Sequence, residues 1–281
     1  MHYIDEGGGA DTLLLLHGEP TWGYLFRQQI PIWAQHARVV APDHMGFGKS
    51  AAPQSRTYWL QDHIQNLEAL VLSLDLRDIT LVMHDFGGPT GMGFAARHPD
   101  RVKQFVSING PMPLGQPDLM DRLVANAKDS PWFQWIQRAY SQGNLEQVLG
   151  NLDYNMLSTL KLNGFVRNEI INDVWLDAYR APFPHPEYAV GGIGWAKGFA
   201  MGVHQFEAAS ADVKARLLTK PAIAIWGDQD RTLHAAHFLP LFSQLFPKGE
   251  IHRIPYAGHY TPEDAPDEVT KRVLEFLMRD H

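Results

Sequence analysis

The sequence predicts an α/β protein: a mostly parallel sheet flanked by helices, with a helical block inserted before the last strands. Three observations lead to this. Short apolar runs alternate with helix-length amphipathic segments over 1–112, the pattern of strands joined by right-handed helical crossovers. Strand-like runs are missing over 113–215 and resume at 222. Several of the runs end on residues that carry chemistry, and ligand crevices in α/β sheets lie at the carboxyl ends of strands. The expected division is a core of 1–112 and 216–281 around a helical cap of 113–215.

Taken in order, 1–6 alternate as a strand, glycines 7–9 form a turn, and T-L-L-L-L over 12–16 reads as a fully buried strand ending at His17-Gly18. In the H-G-E-P-T-W that follows, Glu19 falls at a strand's carboxyl end, and a helix is expected over 22–35. A strand over 39–41 leads into P-D-H-M-G-F-G-K-S, whose spacing is not that of a Walker phosphate loop. Asp43 is expected to hold that loop. Residues 58–74 place Leu60, Ile64, Leu67, Leu70, Val71 and Leu74 on one helical face.

The stretch I-T-L-V-M-H-D-F-G-G-P-T-G over 79–91 is the organising one. A buried strand ends on Asp85, and two glycines after Phe86 mark a sharp turn into a helix. Aspartate is also a common N-cap, so the residue alone does not fix its role. The turn resembles the nucleophile elbow of the α/β-hydrolases, where backbone approaches closely and small residues are needed. Another strand, over 101–108, ends in N-G-P.

The inserted block carries Trp132, Trp135, Trp175 and Trp195, half of the chain's eight tryptophans, together with a glycine-rich run over 191–202. Such indoles either pack helices together or roof an apolar cavity. The glycines imply a mobile or a closely packed segment. After the block come a strand over 222–226 with G-D-Q-D-R, a helix over 234–246, a strand over 251–254 with A-G-H-Y, and a helix from 266. Asp230 and His259 therefore fall on the same sheet edge as Asp85 and Glu19.

Composition limits the partners. The chain has 281 residues, 45% of them hydrophobic, with a net charge of −7, so no basic field attracts nucleic acid or anionic lipid. It has no cysteine, which excludes disulfides, thiolate metal sites and cysteine nucleophiles. The longest apolar run near the start, 13–16, is too short for a membrane span or a signal-peptide core. We expect a cytoplasmic protein acting on a small apolar organic substrate and water, with no metal.

Asp85, Asp230 and His259 stand in the chain order nucleophile, acid, histidine. Asp230 is favoured over Asp228 by its G-x-x-D spacing from Gly227, and no carboxylate follows the strand ending at Ile108. A carboxylate is already anionic at neutral pH and can displace a leaving group from saturated carbon. His259 would then activate water against the resulting ester, with Asp230 orienting the imidazole. The backbone N–H groups of Glu19 and Phe86 are expected to form the oxyanion hole.

H-G-E-P-T-W with Tyr24-Leu25-Phe26-Arg27, A-P-D-H-M-G-F-G-K-S, L-D-L-R-D-I-T-L-V-M-H-D-F-G-G, A-Y-R-A-P-F-P and A-G-H together resemble the haloalkane dehalogenases of the α/β-hydrolase superfamily. The resemblance is greatest to their Asp-His-Asp branch and weakens in the cap. It implies an α/β-hydrolase fold and a cofactor-independent conversion of haloalkane and water to alcohol, halide and a proton. Family members usually carry tryptophan after the nucleophile, where its indole N–H binds the halide; here Phe86 has no such donor. A related branch uses asparagine where Glu19 stands, so that donor is missing too. Trp132 or Trp135 is the expected replacement in the leaving-group pocket. Relatives also carry a strand before 1–6, which implies a displaced start site or a partner over that edge.

Two alternatives remain open. An epoxide hydrolase would use the same triad with cap tyrosines as donors, and Tyr140, Tyr154, Tyr179 and Tyr188 are candidates by location. A catalytically weak ligand-binding homologue would keep the fold alone.

Overall fold

A computed structural model describes residues 1–206 and 209–279. Seven strands form one sheet: β1 (Tyr3–Glu6), β2 (Thr12–Leu16), β3 (Arg38–Pro42), β4 (Ile79–His84), β5 (Val102–Ile108), β6 (Ala222–Gly227) and β7 (Glu250–Ile254). Their order is β1-β3-β2-β4-β5-β6-β7. Only the β1–β3 pairing is antiparallel, with Tyr3 opposite Pro42 and Glu6 opposite Val39. All residues of β2, β4 and β6 are buried, because helices cover both faces of a parallel sheet and leave no polar side.

The helices are α1 (Ile30–Trp33), α2 (Leu60–Ser73), α3 (Gly87–Arg97), α4 (Leu119–Asp129), α5 (Pro131–Ser141), α6 (Leu145–Leu149), α7 (Leu152–Asn163), α8 (Asp173–Arg180), α9 (Val190–Met201), α10 (Ala211–Leu218), α11 (Ala235–Leu245), α12 (Thr261–Asp264) and α13 (Pro266–Leu277). Asp62 opens α2 by accepting from the Trp59 N–H at 3.0 Å and the Thr57 hydroxyl at 2.7 Å, a side-chain cap for donors that have no helical partner. No helix among the described residues is long and apolar enough to cross a membrane.

Two expectations change. The helix expected over 22–35 is a 3-10 turn (Gly23–Phe26) followed by the single-turn α1. The Gly23 N–H is held by Asp43 at 2.8 Å, a long-range bond that fixes the segment as a turn. The boundary expected at 215 falls inside α10, which packs on α3 of the core. Among the described residues, α4 to α10 all lie between β5 and β6, and no strand interrupts them.

The block is fastened to the core from below. Glu263 of α12 is buried and receives Arg27, at 3.1 Å through Nη2, and the hydroxyl of Tyr179 from α8. Asp43 accepts from the N–H groups of Gly23 and Lys49 and contacts His2, which ties the 42–50 loop to the turn beside it.

Close backbone approach sets the start of α3. A Cβ on Gly88 would lie 2.2 Å from the Pro111 carbonyl oxygen, and one on Gly87 would lie 2.3 Å from that of Leu16. Backbone cannot move aside as a flexible side chain does. Gly88→Ala is expected to lower the unfolding free energy by about 1–3 kcal/mol or more, measured by urea denaturation; an unchanged midpoint would contradict this packing.

Candidate active site

Asp85 follows β4 with φ of +49°, a left-handed conformation rare for a non-glycine residue and found at strained functional turns. The turn lifts the carboxylate off the sheet edge and sets it at the start of α3, where helix N–H groups lack partners and favour an anion. Asp85 Oδ1 accepts the Glu19 backbone N–H at 2.9 Å. That approach requires glycine at 18, since a Cβ there would meet Asp85 Oδ1 at 2.3 Å. The H-G-E turn is held in place by His17. Its Nε2 accepts the His44 N–H at 2.9 Å, which puts the ring proton on Nδ1, where it donates to the Gly18 carbonyl at 3.1 Å.

His259 lies between two carboxylates. Its Nδ1 is 3.0 Å from Asp230 Oδ2 and its Nε2 is 3.5 Å from Asp85 Oδ2. Burial works against a charged ring, but Asp230 first and Asp85 after it outweigh burial and raise the imidazole pKa to about 10. The partner responds in kind. Burial pushes the Asp85 carboxyl up, and the bond and charge of His259 bring it below the ordinary carboxylate value. His84, made neutral by burial with a pKa of about 4, holds the His259 carbonyl at 2.9 Å through Nε2.

Asp230 is itself constrained. Its Oδ1 accepts the N–H groups of Thr232 at 2.7 Å and Leu233 at 2.9 Å, and its Oδ2 accepts the Asn109 amide at 2.7 Å. Asn109, also at positive φ, uses its Oδ1 to accept from the Gly227 N–H at 3.1 Å and the Thr261 hydroxyl at 2.6 Å. One side chain thus links the ends of β5 and β6 to the turn carrying His259. Sequence reading treated 109 only as a place without a carboxylate and missed this role.

Asp85 and Glu19 line a small cavity of about 60 Å³ beside α5 and α9, lined mainly by aromatic rings. Larger grooves elsewhere, such as the one of about 970 Å³ beside the start of β6 and β7, contain none of these residues. Trp132 lines the small cavity. Trp135 does not; it lies one turn further along α5 and stacks on Trp132 with ring centroids 5.2 Å apart.

The indole that meets Phe86 is Trp195 of α9, with ring centroids 3.5 Å apart; the sequence named it among the tryptophans of the inserted block but pointed to Trp132 and Trp135 for the pocket. The glycine-rich run is closely packed. A Cβ on Gly191 would meet the Phe47 ring at 2.5 Å, one on Gly192 would meet Glu19 Oε1 at 2.6 Å, and one on Gly194 would meet Tyr58 Cβ at 2.5 Å. The tyrosines of the inserted helices are elsewhere. Tyr140, Tyr154 and Tyr188 are exposed, Tyr179 is committed to Glu263, and none of the four lines the cavity.

The alpha/beta hydrolase fold family matches residues 11–266. The chain belongs to the alpha/beta-hydrolase family. Within that family it groups with the haloalkane dehalogenases, and it is an enzyme-family member over nearly its whole length. It is 33% identical to a haloalkane dehalogenase of Psychrobacter cryohalolentis, over 99% of this chain and 87% of that one. It is also 32% identical to a cis-3-alkyl-4-alkyloxetan-2-one decarboxylase of Shewanella oneidensis, over 99% of this chain and 85% of the other. The solved haloalkane dehalogenase DbeA from Bradyrhizobium elkani superposes with a TM-score of 0.76 at 24% identity, covering 98% of this chain and 92% of that chain. That last likeness speaks to fold alone.

In this alpha/beta hydrolase the charge on His259 depends on Asp230. Asp230→Asn is expected to bring the His259 pKa down from about 10 towards the ordinary imidazole range, followed by its ring resonances in an NMR pH titration. Titration that stays near pH 10 would contradict this electrostatic assignment.

Proposed function

We propose that the protein hydrolyses small haloalkanes in the cytoplasm, through an alkyl ester on Asp85, under a cap formed by the helices between β5 and β6. The observation that carries this reading is a carboxylate, not a hydroxyl, at the elbow, held against one imidazole and one backbone N–H. In the first step an Asp85 oxygen bonds to the halogen-bearing carbon while the carbon–halogen bond breaks and its electron pair leaves with the halide. The second step splits the ester. His259 takes a proton from water as the water oxygen adds to the ester carbonyl, the Glu19 and Phe86 N–H groups receive the oxyanion, and collapse frees the alcohol and restores the carboxylate.

The charge on His259 suits this order. In the resting site two anions favour imidazolium. Esterification removes the charge of Asp85, so the pKa of His259 falls, its proton leaves to solvent, and the free imidazole can act as base. Net release of one proton balances the halide. A serine-like nucleophile would need the base before its first step; this carboxylate needs it only for the second.

A second reading is decarboxylation of an oxetan-2-one, supported by the Shewanella relative and by Phe86, which has no indole N–H for a free halide. A leaving carboxylate tethered within a four-membered ring places other demands on the pocket. Epoxide opening is less well supported, since no cap tyrosine reaches the cavity.

The experiment offers bromoalkanes, a cis-3,4-dialkyl oxetan-2-one and epoxides in parallel to the wild type, Asp85→Ala and His259→Phe. The expected result is halide release by the wild type and none by Asp85→Ala. His259→Phe should release one equivalent of halide and gain the mass of the alkyl group on the protein. Carbon dioxide release from the lactone without any halide release would favour the second reading, and turnover by Asp85→Ala would remove Asp85 from the mechanism.

A further inference from the structure

α12 carries two buried carboxylates, and the site described above leaves one of them without a role. Glu263 fastens Arg27 and Tyr179. Asp264 is used differently. Its Oδ1 accepts the backbone N–H groups of Val166 at 3.2 Å and Arg167 at 2.9 Å, just beyond α7, and its Oδ2 accepts the Gly258 N–H at 2.9 Å, one residue before His259. One side chain thus clasps the segment after α7 to the turn that carries the imidazole.

Burial raises the pKa of Asp264 to about 6, against the three N–H groups that lower it, so it is an anion at neutral pH. A buried charge is poor evidence of stabilisation, since a well-packed apolar side chain often serves folding as well or better. Nor does Asp264 line the cavity. Neither folding energy nor substrate contact explains it.

The end of α7 is the other half of the clasp. Gly164, left-handed at φ of +110°, turns its carbonyl to the His259 N–H at 3.1 Å. The approach is so close that a Cβ on Gly258 would lie 2.0 Å from that carbonyl oxygen. On the neighbouring loop the Thr232 hydroxyl donates to the Asn163 carbonyl at 2.7 Å, and the Thr232 N–H holds Asp230. The same helix end therefore braces the backbone of both His259 and the Asp230 loop. His259 has little slack, because its N–H, its carbonyl and the N–H before it are all bonded.

We propose that Asp264 is a positioning residue, which locks the end of α7 to the turn of His259 and so sets the imidazole where it can activate water against the Asp85 ester. The proposal rests on the dehalogenation reading above. In that reading alkylation needs only the carboxylate of Asp85, whereas hydrolysis needs His259 to take a proton from a water held against the ester carbonyl. A reacting group misplaced by about 1 Å can cost roughly a hundredfold in rate. Loss of the clasp therefore falls on the second step and spares the first.

The test compares wild type, Asp264→Asn, Arg167→Pro and Arg167→Ala on 1-bromobutane, with halide and protein mass followed in a rapid-quench single turnover. Asp264→Asn keeps the size of the side chain but turns an NH2 group towards one set of N–H donors. It is expected to release one equivalent of halide at close to the wild-type rate and to hydrolyse the ester about ten- to a hundredfold more slowly, so the alkyl mass accumulates on the protein. The halide burst counts only folded sites, and a partly unfolded sample cannot imitate this split. Arg167→Pro deletes one N–H of the clasp at a φ of −76°, which proline accepts, and it decides the matter if Asp264→Asn does not fold. It should slow hydrolysis more than Arg167→Ala, which keeps the N–H.

A readout without substrate checks the imidazole itself. The His259 Nδ1 proton is held against Asp230 at 3.0 Å, and its NMR resonance should shift or broaden in Asp264→Asn while the far-UV circular dichroism stays unchanged. Equal slowing of both steps or wild-type hydrolysis in Asp264→Asn, hydrolysis as fast in Arg167→Pro as in Arg167→Ala, or an unmoved His259 resonance would each overturn the proposal. Wild type that gives neither halide nor an alkylated Asp85 overturns the dehalogenation reading itself, and the His259 resonance still judges the clasp.

Discussion

One imidazole held between two buried carboxylates is the interaction on which the site depends. Asp230 is fixed by two backbone N–H groups and the Asn109 amide, and it in turn fixes Nδ1 of His259. Asp85 faces the opposite nitrogen from its strained turn. Removing one partner of such a set leaves a buried charge uncompensated, which is far more costly than the set is worth in stability. The arrangement is therefore better understood as a device for controlling charge at one atom than as a source of folding energy.

The sheet makes this possible because β4, β5 and β6 are adjacent and parallel. Their carboxyl ends place Asp85, Asn109 and the Asp230 loop side by side, and the turn after β7 brings His259 over them. Asn109 joins the ends of β5 and β6 to the turn after β7 through its two functional atoms. Glycines are used where backbones meet: Gly18 admits the Asp85 carboxylate, and the glycines of α9 allow a helix to lie almost directly on Glu19 and Phe47. The price of that closeness is a small cavity with mainly aromatic walls beside the carboxylate.

Much of this was legible in the sequence, and for a physical reason. A buried strand ending in D-F-G-G, a G-x-x-D after the next-to-last strand and A-G-H after the last are local patterns, and topology alone puts strand ends on one edge. Asp85, Asp230 and His259 do meet, and the Glu19 N–H does reach Asp85. What escaped depends on contacts distant in sequence. The turn at 23–26 is set by Asp43, the pairing of Phe86 with Trp195 by the placement of α9, and the exclusion of Trp135 by its place one turn further along α5 from Trp132. The linking role of Asn109 was hidden because an asparagine after a strand is common. The clasp made by Asp264 was hidden because its partners at Val166 and Arg167 lie far from it in sequence.

The measurement that tests the account most directly is a single turnover in oxygen-18 water with enzyme in excess. If Asp85 carries the alkyl group and water attacks the ester carbonyl, the first alcohol formed takes its oxygen from the carboxylate and is unlabelled. The label then appears in the peptide containing Asp85. Label in the alcohol of that first turnover, with none in Asp85, would mean that water attacks the substrate carbon directly and would contradict the account.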